Sequence, residues 1–257
     1  MEVCVDSFES ALAAVQGGAQ RIELCSSLDQ GGLTPSVGLF HCIRRRLPDE
    51  LNIFIMIRCR PGDFIYDEDE LNVMKEEIHV FMQSKERIDG FVMGILHPDG
   101  TINIESLQSL ISDIPKHISL TFHRAFDFLP KWETGIDQLI QLGFQRILTS
   151  GQESSAYYGR KCLRQMINYA QNRIIILPGC GINMSNLESI LRETGAKEFH
   201  ASARVRKPSK MVYKNIQKKI SINGLNNDPA ADENVIQVTD REKVKLMMDV
   251  YRKVFYK

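Results

Sequence analysis

A chain of 257 residues with 32 basic and 32 acidic side chains carries no net charge, which argues against a nucleic-acid or anionic-membrane partner. Apolar residues make up 43% before the 17 glycines are added, enough for a globular core, and the length fits one α/β barrel or two smaller domains. Six cysteines without a CxxC pair exclude zinc-finger and zinc-ribbon spacings and read as reduced thiols of an intracellular protein.

The first strand is expected from Glu2, which leaves no room for a signal peptide. Val3 and Val5 alternate with Cys4 and Asp6. About a dozen residues of helix follow, and then Arg21–Cys25 reads as a second strand in which Ile22 and Leu24 alternate with Glu23 and Cys25. One helix between two strands makes them parallel neighbours. Cys4 and Cys25 then face away from the aliphatic layer, in reach of one shared soft metal ion.

Thr34-Pro35 reads as an N-cap followed by proline at the first helical position. Further strands are predicted over Asn52–Arg58, Gly90–Gly94, Ser119–His123 and Arg173–Leu177. Glycines at 18, 143 and 195 each close a helix just before a strand. The longest aliphatic run, Ile174 to Leu177, is far too short to span a bilayer. From Arg204 to about Val238 no amphipathic period is visible, and a long, irregular and mobile loop is expected there. Thr239-Asp240-Arg241-Glu242 reads as a capping box opening a final helix that ends at Phe255.

Eight strands alternating with eight helices predict a parallel sheet covered by helices, and in this length a single closed (β/α)8 barrel of the TIM type over residues 1–257. An open dinucleotide-binding sheet should carry GxGxxG after strand one, where Asp6-Ser7-Phe8-Glu9-Ser10 stands instead. Chemistry in such a barrel sits at the C-terminal ends of the strands. Those ends carry Glu23, Arg58, His123 and His200, which are the candidates for acid–base and electrostatic work. Beside them stand Arg60, Arg124, Asp127, Ser202 and Arg204, as candidate contacts to a small anionic substrate. Gly179-Cys180-Gly181 after strand seven reads either as a phosphate-gripping turn or as a plain tight turn.

The segments MEVCVDS, RIELCSSLDQGGLTPS, MIRCRPGDFIY, LTFHRAFD, RILTSG, PGCGI and EFHASAR, in this order, resemble the CutC copper homeostasis family. The resemblance runs from Met1 to about Arg204 and again in the last helix. It implies a single barrel, a homo-oligomer and an intracellular, chiefly cytoplasmic location with a nuclear pool also allowed. For the animal members of the family it also implies one bound Cu(I), with the cysteines that are Cys4 and Cys25 here as ligands. The chain departs from the family pattern at Cys59 and Cys180, which add two thiols near the mouth.

Two functional readings follow. One is a copper-handling protein that holds Cu(I) through inward cysteines. The other is a barrel enzyme acting on a small carboxylate or phosphate metabolite through the polar ring at the strand ends. Neither reading involves a nucleic acid or a membrane.

Overall fold

A computed structural model describes residues 1–211 and 235–256. Strands and helices alternate as β1 (Glu2–Val5), α1 (Phe8–Gln16), β2 (Arg21–Leu24), α2 (Val37–Arg46), β3 (Asn52–Met56), α3 (Glu68–Met82), β4 (Gly90–Met93) and α4 (Ile104–Ile111). The second half repeats the rhythm with β5 (Ser119–Phe122), α5 (Trp132–Gln141), β6 (Arg146–Thr149), α6 (Arg160–Ala170), β7 (Ile175–Pro178), α7 (Leu187–Thr194) and β8 (His200–Ala201). A hairpin, β9 (Arg204–Pro208) with β10 (Val235–Thr239), precedes α8 (Arg241–Phe255). None of the described helices is long and apolar enough to cross a membrane.

The eight strands are parallel and pair in the order β7-β6-β5-β4-β3-β2-β1-β8. This is the TIM-type architecture, with one seam differing from the expected full closure. β8 has only two strand residues, which pair with Glu2 and Val3 of β1, and among the described residues no ladder joins it to β7. The chain at Gly179 nevertheless runs close to His200 across the seam, since a Cβ there would lie 3.4 Å from Cβ of His200.

Period two sorts the strand residues into two environments. Val3, Val5, Ile22, Leu24, Ile53, Ile55, Phe91, Phe122 and Ile147 join the helices in one apolar core. The opposite faces turn into the barrel, where Cys25, Phe54, Met56 and Val92 form a small separate cluster. Charged residues share that interior with Thr121 and Leu148. Glu2, fully buried, pairs with Arg21 at 2.6 Å; Arg21 reaches Glu198 at 2.5 Å, and Arg146 reaches the same carboxylate at 3.0 Å. Both guanidinium groups lie over the ring of Phe54, at 5.2 and 5.3 Å.

Several boundaries differ from the sequence reading, for local reasons. α2 starts at Val37, with Ser36 as N-cap accepting from Leu39 N–H at 3.2 Å. Thr34 is spent elsewhere: its hydroxyl accepts from Arg58 N–H at 2.9 Å and donates to Glu77 at 2.7 Å. α8 is capped by Asp240, not Thr239, since Thr239 belongs to β10 and pairs with Arg204. Arg173 precedes β7, its guanidinium bonded to Asp137 and to the carbonyl of Tyr169. The segment expected to be irregular from 204 to 238 begins and ends in an antiparallel ribbon, with Val205 opposite Val238. Residues 212–234, and the mobility expected of them, lie outside the described residues.

The turn into α6 offers a test of this packing. A Cβ at Gly159 would stand 1.9 Å from the carbonyl oxygen of Ser150, a backbone atom that cannot swing aside. Gly159→Ala is expected to cost about 1–3 kcal/mol or more through overpacking, read as a lowered urea midpoint with an unchanged m-value. An unchanged midpoint would show that the β6–α6 turn relaxes freely.

Candidate metal and ligand site at the barrel mouth

Three neighbouring strands build the centre of the site. In the β1–β2 ladder Cys4 stands opposite Glu23, and in the β1–β8 ladder Glu2 stands opposite His200. All four have inward parity, so the thiol, the carboxylates and the imidazole converge inside the barrel. One ligand atom each from Cys4, Glu23 and His200 lie within 4.8 Å of one another, and all three residues are buried.

Cys25 shares this face two residues beyond Glu23. Its Sγ–H donates to Glu23 Oε2 at 3.5 Å, and it packs with Phe54, Met56 and Val92 under Leu28. Its thiol is pushed well above the ordinary value of 9.0, first by burial and then by the Glu23 carboxylate.

The electrostatics are tightly linked. His200 Nδ1 donates to Glu2 Oε1 at 2.7 Å, while its Nε2 lies 3.9 Å from Glu23 Oε2. Burial alone would make His200 less basic, but Cys4 and Glu23 outweigh it and raise its pKa well above 6.5. Glu23 is raised to about 7, chiefly by burial, against the opposing pull of His200 and with a further push from Glu2. Glu23 Oε1 is buried without a hydrogen-bond partner among the described residues.

Glu2 goes the other way. Burial would raise its pKa, yet Arg21 and then His200 hold it down at about 2, from an ordinary 4.5. A carboxylate depressed on folding stabilises above its unfolded pKa and loses that contribution as pH falls through the folded one. Acid titration between about pH 4.5 and 2 is therefore expected to remove on the order of 3 kcal/mol of stability. Glu2→Gln should flatten that part of the stability–pH curve, as measured by urea unfolding. An unchanged slope would mean that other carboxylates carry it.

Above these groups opens a cavity of about 500 Å³ at the C-terminal face, lined by Cys4, Glu23, Arg58, His123, Arg124, Cys180, Gly181, His200, Ser202 and Arg204. The four residues read as acid–base and electrostatic candidates thus share one concavity. Three others fall outside its lining. Arg60 turns outward to Glu70 and to Asp63, the latter at 3.0 Å. Asp127 is consumed as a brace, accepting from Thr149 Oγ1 at 2.5 Å, Ser150 N–H at 3.0 Å and Arg124 Nε at 2.9 Å. Gly179 backs onto Leu148 and His200. Arg58 lines the cavity but its guanidinium is already engaged, donating to the carbonyls of Gln30, Gly32 and Gly62 at 3.1, 3.2 and 2.8 Å. It ties the β2–α2 and β3–α3 loops together, so the guanidinium read as an electrostatic candidate serves as a loop anchor.

Sequence reasoning did not single out Glu2, although its parity with Cys4 was visible; it lies at the start of a strand, away from the face where chemistry was sought. The apolar wall of Leu28, Met56, Phe64, Phe128 and Leu148 was also not anticipated. A second cavity of about 490 Å³ opens at the N-terminal face around Asn52 and Ser119, but its Arg21 and Arg146 already share Glu198.

Fold and site together define a class: a (β/α)8 barrel with a buried thiol–carboxylate–imidazole cluster beneath a polar mouth. Within that class the chain belongs to the CutC family, whose family model matches residues 1–205. It is 41% identical over 254 residues to the copper homeostasis protein cutC homolog of Homo sapiens, covering 99% of this chain and 89% of that protein. It is 40% identical over 247 residues to a family protein CutC of Vibrio cholerae, covering 95% of this chain and 93% of that protein. Among solved structures, the putative copper homeostasis protein CutC from Streptococcus agalactiae superposes with a TM-score of 0.72 at 34% identity, covering 78% of this chain and 97% of that one. A thiamine phosphate pyrophosphorylase from Pyrococcus furiosus, at TM-score 0.57 and 14% identity over 99% and 96% of the two chains, shares the fold alone.

Proposed function

We propose that the protein serves copper homeostasis by binding one Cu(I) ion between Cys4 and Cys25, with His200 as a neighbouring nitrogen donor. The observation that carries this reading is the convergence of Cys4, Glu23 and His200 within 4.8 Å, with the Cys25 thiol 3.5 Å from the same Glu23 carboxylate. Soft thiol sulfur suits Cu(I), which accepts low coordination, whereas zinc would want a closed set of four ligands and calcium or magnesium a shell of oxygens. The Glu2–His200 hydrogen bond supports the same reading. It occupies Nδ1 and leaves Nε2, whose proton a bound Cu(I) would displace, as the ring atom for the metal, the carboxylate–histidine arrangement that orients metal-binding imidazoles.

Thiols and Cu(I) coexist in a reducing compartment, so the reading includes a cytoplasmic location; it also includes a homo-oligomer, as the family resemblance implies. The test is titration of the full chain with Cu(I) under reducing conditions, followed by X-ray absorption of the loaded protein. One equivalent bound with sulfur and nitrogen scatterers supports the reading. A spectrum without sulfur in the first shell ends it.

A further inference from the structure

Met56 ends β3 on the inward side of the barrel and is only 3% exposed. The β2–β3 ladder pairs Glu23 with Phe54 and Leu24 with Ile55, so one residue further along Cys25 comes level with Met56. Both side chains belong to the small inner cluster with Phe54 and Val92. The loop above shows how near their ends are. A Cβ at Gly32 would stand 3.1 Å from Cys25 Sγ and 3.7 Å from Met56 Cε, so the thiol and the end of the thioether chain share one spot beneath that glycine.

The chain has ten methionines, and among the described residues Met56 is the only one in that inner cluster. Met74, Met93, Met166 and Met247 lie instead in the core between strands and helices. Packing alone asks only for an aliphatic side chain here, and Val92 and Leu28 fill neighbouring places with one. Met56 also lines the mouth cavity together with Cys4, Glu23 and His200. Strand order sets four donor residues side by side, because β8, β1, β2 and β3 are consecutive in the sheet. His200 stands on β8, Cys4 on β1, Cys25 just after β2 and Met56 at the end of β3.

The chemistry of a thioether suits this place. Its sulfur is soft and polarizable, which favours Cu(I) over zinc or magnesium. It carries no proton to be displaced and no charge. Two thiolates on one Cu(I) already leave a net negative charge, in an interior that also buries Glu23. A neutral third donor fills the shell without adding charge that burial penalises.

We infer that the Met56 thioether is a third sulfur donor to Cu(I), reaching the ion from the β3 side of the cysteine pair, while His200 stands on the β8 side. The inference rests on the copper reading, since Cys4 and Cys25 are what hold the ion beside it.

The test uses the full chain with selenomethionine in place of methionine, reduced and loaded with one equivalent of Cu(I), and reads the copper-edge X-ray absorption. Cysteine still scatters as sulfur, so a selenium scatterer in the first shell can come only from a methionine side chain. One selenium is expected beside the sulfurs, and Met56→Leu should remove it. That swap conserves volume, so the fold should persist, as thermal melts check. In chelator competition the same variant is expected to bind Cu(I) about tenfold more weakly or worse, a smaller loss than at either cysteine because the lost donor is neutral. A first shell with sulfur but no selenium would show that Met56 only packs, overturning the inference while the two-cysteine reading stands. Selenium that survives Met56→Leu would overturn it too, by assigning the donor to another methionine. A shell with neither element ends both readings.

Discussion

Replacing Cys4 by serine is expected to weaken Cu(I) binding by more than about 100-fold. Changes in the groups that merely orient metal ligands typically cost 10- to 100-fold, and a lost ligand costs more. Serine is nearly isosteric, so the barrel should stay folded, but its hard oxygen is a poor donor for a soft ion. Cys4 is the thiol of the central cluster and lines the cavity, with Glu23 opposite it in the ladder and His200 beside it. Cys25→Ser is expected to lose most of the affinity as well, because one thiolate cannot supply the second bond. That variant should remain folded, since the new hydroxyl finds Glu23 Oε2 where the thiol had it, at 3.5 Å. The double variant should fall at least as far as either single one. Glu2→Gln gives the intermediate case, about 10- to 100-fold, because it alters only the group that orients His200. Competition against a Cu(I) chelator, with thermal melts as the folding control, reads all four. If the double variant takes up one equivalent as tightly as the parent, the pair is structural, and Cys59 and Cys180 are next to test.

The largest stability effect is expected at Arg21, far below the mouth. Arg21→Met removes the cation that joins Glu2 to Glu198, at 2.6 and 2.5 Å. Glu2 has no solvent exposure, so its charge cannot be recovered by water. Breaking one side of a buried ion pair costs about 3–5 kcal/mol, and here Glu2 is left with His200 as its remaining partner. Arg192→Met serves as the contrast: its bridge to Glu188 joins side chains 45% and 42% exposed, and such surface pairs contribute about 0–1 kcal/mol. Urea unfolding of both variants should show a large loss for the first and almost none for the second. Equal small losses would mean that the interior network relaxes when its cation is removed.

Arg21→Met also connects the barrel floor to the site. Glu2 is held on one side by Arg21 and on the other by His200. Releasing one restraint should let the imidazole reorient, and Cu(I) affinity is expected to fall together with stability in that variant.

Much of this protein is legible in its local sequence. Glycine-punctuated alternation of apolar strands and amphipathic helices is enough for a (β/α)8 barrel, since each unit must bury one helix stripe on one strand face. The period of two in Glu2–Asp6 and Arg21–Cys25 is likewise enough to turn Cys4, Glu23 and Cys25 inward. What local pattern does not contain is the partner of each polar side chain. His200 meets Glu2 across 198 positions of chain, through a ladder only two residues long. Arg58 and Arg60 look equivalent in sequence, yet one is sunk among three loop carbonyls and the other turns out to Glu70. The hairpin of β9 and β10 joins segments separated by more than twenty residues, so neither segment announces the pairing alone. Strand identity follows from the apolar period of a few adjacent residues. Which charges pair, which are left to face the cavity, and where a thiol meets an imidazole depend on register between distant strands, and only the assembled barrel decides that.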